Sequence, residues 1–447
     1  MRNSSRGRDS LIMKQSIRMR VRSSTVARLA ISVLSVALAV AGCKDITSLK
    51  QQDPSQLGGK TVFVPANAQL IVNGVVADFE CAFGRYALGT GLFTDELANA
   101  IARTEDFQYD TRNLPTNSVY GTNDCVPVQI PGIYTPLSVA RASADTAVAA
   151  LEGWTDEQVP HRSKLIGTAS AYGGYSIVLL GESMCSAAIN LGPELTPAQL
   201  FALAITRFDT AVEAATRASD ATTLSFALLG RARAKLDAGD LTGAAADAQL
   251  VPVGFIVQTS SDAVNTRRQN AIWSSTTSFF SSVDTSFQAT YDATVAAGTP
   301  DPRIAYTSSG QVATNGFTVV AYPDKDATST APITIAKWSE AQLIIAENDV
   351  ANSNLPAAIL IINDLHVRAG YASVYAPSSP TAAAVLARIV EERKRELFLE
   401  GHRMGDLRRY NLPFLPLTGS PYGSGGTYGT ETCFPLPDVE RINNPNI

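Results

Sequence analysis

The segment "IVEERKRELFLEGHRMGDLRRYN", residues 389–411, decides how this chain is built. Placed on a helix, Leu386, Ile389, Val390, Leu397 and Phe398 make an apolar stripe, and the charges crowd beside it. Glu391 and Arg395 stand four apart, and Arg403 and Asp406 three apart. Opposite charges at those spacings contribute only ~0.2–0.5 kcal/mol per pair on an exposed helix. Glu392, Glu396 and Glu400 recur every fourth residue, and like charges so placed repel unless cations from elsewhere lie between them. Carboxylates with cations this close are held ionised, whereas acid–base catalysis needs one carboxyl with a raised pKa. The pattern predicts a partly buried, mutually satisfied ion-pair network that braces the fold.

The chain has 447 residues, of which 45% are hydrophobic and 17% charged. That is enough to bury a large core, and it is not a disordered composition. Residues 1–42 stand apart. A basic region from Arg2 to Arg28 precedes the apolar run "LAISVLSVALAV", which is too short for a comfortable membrane span. A basic stretch, an apolar run and small residues describe a secretory signal. "VAGC", Val40 to Cys43, resembles a bacterial lipobox, so Cys43 is expected to carry the lipid anchor. Acyl chains contribute ~0.8 kcal/mol per buried methylene, and two or three of them anchor a protein stably. Residues 43–65, rich in Gln, Ser and Gly, read as the tether from lipid to a folded body over 66–447. Loss of residues 1–42 leaves 28 basic and 40 acidic side chains, a net charge of −12. A chain so acidic repels phosphate backbones, which argues against nucleic-acid binding.

Four cysteines follow the leader: Cys81, Cys125, Cys185 and Cys433. In an oxidising compartment an even count predicts two disulfides, among three possible connectivities. The pairing expected here is Cys81–Cys125, linking two N-terminal segments, and Cys185–Cys433, tying the C-terminal tail to the scaffold. No CxxC pair occurs and the three histidines are widely separated, so neither a metal nor another cofactor is expected.

The body reads as all-α dominated, a tetratricopeptide-like scaffold of helical hairpins. In "LSFALLGRARAKLDAGDLTGAAADAQLVP", Leu228 and Ala232 share a face, Gly239-Asp240 break the helix, and Leu241, Ala244 and Ala248 restart it. Arg231 and Lys235 sit where such a repeat prefers Leu and an aromatic. A second hairpin runs through "KWSEAQLIIAENDVANSNLPAAILIINDLHVRAG", turned by "NSNLP" and stopped at Gly370. A third pairs "RSKLIGTASAYGGYSIVLL" with "TPAQLFALAITRFDTAVEAAT", where Thr196 precedes a proline at the first helical position. Earlier helices are expected at 66–100 and 135–152. Residues 253–332 and 412–437 read as long irregular insertions, the places where function more often sits.

At this point the residues resemble a family. "ERKRELFLEGHRMGDLRR" is similar to the C-terminal signature of the SusD/RagB family of outer-membrane nutrient-binding lipoproteins. The matching positions are Glu392, Arg393, Glu396, Glu400, Gly401, Arg403, Asp406, Leu407 and Arg409. Pro435, Pro437, Glu440 and Asn444-Pro445-Asn446 match the ending, and "DPRI" (301–304), "AE" (346–347) and "RAG" (368–370) match upstream. The chain departs from the pattern at "GESMCSAAI", where many members carry a Gly-Asp-x-Pro turn. The resemblance implies a non-enzymatic protein on the outer membrane, facing outward. It would bind an oligomeric nutrient, such as a glycan, and act as the lid of a TonB-dependent, SusC-type barrel.

Two other classes compete with this reading. A helical-repeat scaffold would bind a protein partner and no nutrient. A surface hydrolase would need a nucleophile elbow, a metal-ligand helix or a phosphate loop, and none is present. Sugar C–H faces pack on aromatic rings, so exposed aromatics are the candidate ligand platforms. Trp154 and Trp338 border helices and read as core. Trp273, in the Ser/Thr-rich insertion, is the first candidate; Phe107 and Tyr109, in the predicted loop "RTEDFQYDTRN", are the second.

Overall fold

A computed structural model describes residues 62–125 and 131–447; Cys43 and the tether fall outside them. The first long helix, α1 (Ala68–Phe93), ends earlier than the predicted 66–100. Thr94 turns extended, and Leu97–Asn99 forms β1. Next come α2 (Thr104–Asp110), the one-turn α3 (Val119–Thr122), α4 (Tyr134–Glu152) and α5 (Arg162–Ser183). The stretch predicted as the loop "RTEDFQYDTRN" is therefore mostly helix. Glu105 and Asp106 in the first turn of α2 favour its N-terminal end.

After the short strands β2 (Ala187–Ala188) and β3 (Glu194–Leu195), α6 (Pro197–Arg217) starts with a complete capping box between Thr196 and Gln199. It packs between α5 and α7 (Ala221–Asp237), and α8 (Leu241–Ala248) folds back on α7 with Asp240 as its cap. Small residues let these helices close up. A methyl group on Gly174 would come within 2.8 Å of the Phe208 ring, and one on Gly230 would meet the rings of Phe208 and Tyr175. The Arg231 and Lys235 side chains, unusual for such a repeat, both reach Asp247 on α8, at 2.7 Å each. An ion-pair clasp thus joins this hairpin where the repeat would use apolar packing.

The segment 253–332 is more regular than expected. It holds β4 (Ile256–Gln258), α9 (Ala271–Thr277), β5 (Ser281–Val283), α10 (Thr285–Ala296), β6 (Tyr306–Val312) and β7 (Val319–Pro323). Antiparallel pairs β1–β5, β4–β8 and β6–β7 stitch it to the helices, with β8 at Thr334–Lys337. The hairpin α11 (Trp338–Ala351) and α12 (Leu355–Ala369) follows, and Gly370 caps it with a φ of 72°. Helix α13 (Ala382–Glu396) then packs across α11 and α12 around Leu343, Ile362, Leu365, Val385, Ile389 and Leu397.

The opening segment is not one continuous helix. It breaks after Glu396, turns through Leu399 (φ 56°) and Gly401 (φ 71°), and resumes as α14 (Arg403–Arg409). A side chain on Gly401 would also strike the Tyr86 ring at 2.9 Å. Residues 412–437 run as loop to the one-turn α15 (Asp438–Arg441). Two disulfides bind the body, Cys81 with Cys125 and Cys185 with Cys433. The second holds the tail beside α5, where Cys185 N–H donates to the Phe434 carbonyl at 2.8 Å.

Candidate ligand site and its brace

The brace is the charged segment itself. Three acidic residues that repel along α13 and its exit are separated by cations from other elements. Arg303 of "DPRI" lies 2.9 Å from Glu392 and 3.2 Å from Glu396, and Asp301 holds the same guanidinium at 2.7 Å. Lys337 at the end of β8 spans Glu396 (3.3 Å) and Glu400 (3.0 Å), and Lys325 adds a second contact to Glu400 at 2.7 Å. Glu392 is fully buried between Arg303, Arg388 (2.6 Å) and His366 (2.8 Å). Burial by itself would raise its pKa, but the His366 hydrogen bond and the Arg303 and Arg388 charges hold it down at about 2.

The partners of Arg403 and Asp406 differ from the spacing-based expectation. Arg403 reaches across to Asp95, which follows α1, with 2.6 and 2.8 Å contacts, while Asp406 accepts from Arg393 at 2.9 Å. Arg409 grips Glu347 on α11. Glu391 and Arg395 do pair, at 2.8 Å. Arg403, Glu396, Glu400 and Arg409 thus tie the last helices to the end of α1, to β8 and to α11, while Arg393–Asp406 joins α13 to α14.

The ligand candidate lies where β1, α2, the β6–β7 hairpin and the loop 415–431 converge. Phe317, at the tip of the β6–β7 hairpin, is 41% exposed. It stands edge-on to Tyr422, with centroids 5.5 Å apart at 87°. It reaches that position because residue 423 is glycine: a methyl group there would sit 2.6 Å from the Phe317 ring. Phe107 on α2 faces Tyr422 from 6.2 Å, and Tyr428 meets Tyr422 at 5.5 Å. Arg112 lies over the Tyr428 ring and Arg103 over Phe280, each at 5.1 Å from the ring centre.

Polar groups lie beneath these rings. Asp110 accepts from the Asn99 backbone N–H at 2.8 Å and from the hydroxyls of Tyr422 (3.3 Å) and Tyr428 (3.4 Å). Burial pushes its carboxyl up to about 7, against the pull of those hydrogen bonds. Asn99 donates to the Tyr422 hydroxyl at 3.1 Å. The result is an aromatic wall with one half-exposed ring and a fixed carboxyl, hydroxyl and amide set behind it.

Of the sequence-predicted platforms, only Phe107 belongs to this wall. Tyr109 is a correction: it is fully buried, its hydroxyl donates to the Pro131 carbonyl, and its ring packs on Phe434. On α2 it points away from Phe107, so it cannot meet a ligand. Trp273 is half-buried on α9 and is not one of the clustered rings. Trp154 is half-buried against the main core, and Trp338 lies under the Arg368 guanidinium, 4.6 Å from its ring centre. The sequence carries no local signal for Phe317, Tyr422 and Tyr428: the "FT" and "PYGSGGTY" contexts mark loops, and nothing local marks their convergence. Among the described residues, no group of His, Cys, Asp and Glu could hold a metal ion.

Residues 258–438 match the model of the SusD family. Known folds extend the likeness over most of the body. The crystal structure of a SusD superfamily protein from Bacteroides fragilis superposes with a TM-score of 0.66 at 14% identity, over 86% of this chain and 99% of that one. Residues 258–438 thus carry the SusD-family match, and the described body shares the SusD fold. A SusD superfamily protein from Bacteroides thetaiotaomicron is similar to the same degree, with a TM-score of 0.65, 14% identity and coverage of 86% and 99%. A SusD-like carbohydrate binding protein from Bacteroides vulgatus gives 0.61 at 15% identity, over 86% and 97%. No curated protein matches the chain in sequence. The helical SusD fold is thus shared at an identity where side-chain sites are not, and the aromatic wall has to be read from this chain's own residues.

Proposed function

We propose that this SusD-like chain captures a glycan or a related oligomer at the Phe317–Tyr422–Phe107 wall, as the binding subunit of an outer-membrane uptake system. The observation that carries the reading is the exposed Phe317 ring, held edge-on to Tyr422 with Asp110 and Asn99 fixed below. An apolar ring face accepts sugar C–H groups, while a small set of placed polar groups orients hydroxyls. The carbohydrate-binding relative from Bacteroides vulgatus shares the fold and supports the same class of ligand. The chemistry favours binding over hydrolysis. Asp110 is a single carboxyl already engaged by two tyrosine hydroxyls, and glycoside cleavage ordinarily takes two carboxyls across the bond.

In this reading Cys43 carries the lipid and the body faces outward. No helix among the described residues is long and apolar enough to cross a membrane. A lipid anchor attaches a protein without making a pore, so uptake calls for a separate closed barrel. The family resemblance points to a TonB-dependent, SusC-type one, with this chain as its lid. The test titrates the full chain with neutral gluco-, manno- and galacto-oligosaccharides and with peptides. Phe317→Ala is expected to weaken the binding oligomer ~3–10-fold, the equivalent of one aromatic contact of about 0.5–1.5 kcal/mol. Binding that ignores Phe317, or no oligomer bound at all, defeats the assignment.

A further inference from the structure

Six arginines are buried among the described residues: Arg85, Arg112, Arg141, Arg233, Arg393 and Arg403. Five have partners. Arg233 is held by Glu182, Arg393 by Asp406, Arg403 by Asp95 and Arg141 by Asp145, while Arg112 donates to the carbonyls of Leu415 and Pro416. Arg85, on α1 and only 6% exposed, makes no hydrogen bond and no ion pair with any described residue. Burial lowers its pKa and no neighbouring charge offsets this. A guanidinium cannot shed its proton in a protein, so its donors need an acceptor that the chain does not provide.

Arg85 lines a small open cleft of about 20 Å³ between α1 and residues 259–271, room for one small charged group rather than a whole sugar ring. Arg267 and Arg268 line the same cleft, with Thr259, Ser261 and Asn270 adding polar groups. Glu80 is the single carboxylate on the wall, and it is engaged by the Ser260 hydroxyl. Asp78, outside the wall, stands 3.9 Å from Arg267. Arg268 donates to the Ser260 carbonyl at 3.1 Å, which fixes it at the rim. Three guanidiniums therefore converge on one cleft of a chain whose net formal charge is −5. Local positive charge and planar forked donors suit an oxyanion, which a guanidinium binds in a bidentate manner.

The geometry points to an oxyanion-binding site at Arg85, Arg267 and Arg268, one that takes the carboxylate or sulfate group of an acidic ligand. It shares no residue with the aromatic wall, and neutral oligosaccharide binding at Phe317 can succeed or fail without it. The test is calorimetric titration of the full chain with sodium sulfate, D-galacturonate and D-galactose at constant ionic strength. Saturable binding of sulfate alone identifies a sulfate site, of galacturonate alone a carboxylate site, and of both an unselective oxyanion site. In each case Arg85→Met must weaken binding at least tenfold. It must also leave the anion-free protein no less thermostable than wild type, since it deletes an unpaired buried charge. If Arg85→Met does not fold, Arg268→Gln at the rim must weaken the anion several-fold. Neither anion binding the wild type, equal binding of galactose, or anion binding unchanged in these variants overturns the site.

Discussion

Arg403→Ala tests the brace where it spans the longest stretch of chain. The Arg403 guanidinium pairs in a bidentate manner with Asp95, across a sequence separation of 308 residues. Asp95 is 1% exposed, and burial would raise its pKa, but the Arg403 hydrogen bonds and charge pull it below the usual range. Deleting Arg403 leaves that carboxylate facing only Lys394 at 3.7 Å, with the buried Glu96 beside it. Removing one partner from a buried pair costs ~3–5 kcal/mol. The folded body spans about 385 residues. With an unfolding entropy of roughly 2.1 cal/mol/K per residue, that loss lowers Tm by ~4–6 °C. Asp95→Asn combined with Arg403→Met removes both charges and is expected to cost less than Arg403→Ala alone, because no buried charge is stranded. Thermal and urea unfolding measure stability, and oligomer titration of the folded fraction measures binding. A Tm drop below about 1 °C, or lost ligand binding at normal stability, would show that Arg403 serves the ligand rather than the fold.

Acid unfolding gives a second check. Glu392, held at about 2 against an ordinary 4.5, adds stability that is fully present above 4.5 and lost as pH falls through about 2. The term is on the order of 3 kcal/mol, so Glu392→Gln should flatten the acid limb of the stability profile. Glu96 runs the other way: burial lifts it to about 8, so its contribution is present below 4.5 and lost as pH rises through 8. Glu96→Gln should thus gain stability at pH 9 relative to wild type, and gain nothing at pH 4. Non-reducing peptide mapping should return Cys81–Cys125 and Cys185–Cys433, and opening the second link, which closes a loop of 248 residues, should cost ~2–5 kcal/mol. Cys43→Ser should move the protein from the detergent phase to the aqueous phase and abolish metabolic lipid labelling; a variant still in the membrane fraction refutes the anchor.

The helical scaffold was legible because its signals are local. Thr196-Pro197 starts a helix and Gly370 stops one, each through backbone chemistry confined to a few neighbouring residues. The brace was half legible. The repulsion of Glu392, Glu396 and Glu400 demanded cations, but nothing in residues 389–411 says that Arg303, Lys325 and Lys337 supply them. Near-sequence spacing misled for Arg403 and Asp406: both lie on α14, yet the fold brings Asp95 to within 2.6 Å of Arg403 and Arg393 to within 2.9 Å of Asp406.

The candidate site was the least legible part, for a geometric reason. Asn99 and Tyr422 are in contact across a separation of 323 residues, and Asp110 and Tyr422 across 312. Phe107 and Tyr109 stand two residues apart, which on a helix sends them to opposite faces: one to the wall, the other into the core. Reading "RTEDFQYDTRN" as a loop erased that distinction. The element that forms the wall is also the one that α1 and the brace hold still. Asp95 and Glu96 receive Arg403 and the Leu399 N–H just before β1 delivers Asn99 to the site. The charged motif at 389–411 thus fixes the strand from which the ligand wall is built, although none of its own side chains lies in the wall. That coupling is why the first prediction separates stability from binding: a brace acts on the site through β1, and only a fully folded protein can show whether it does anything more.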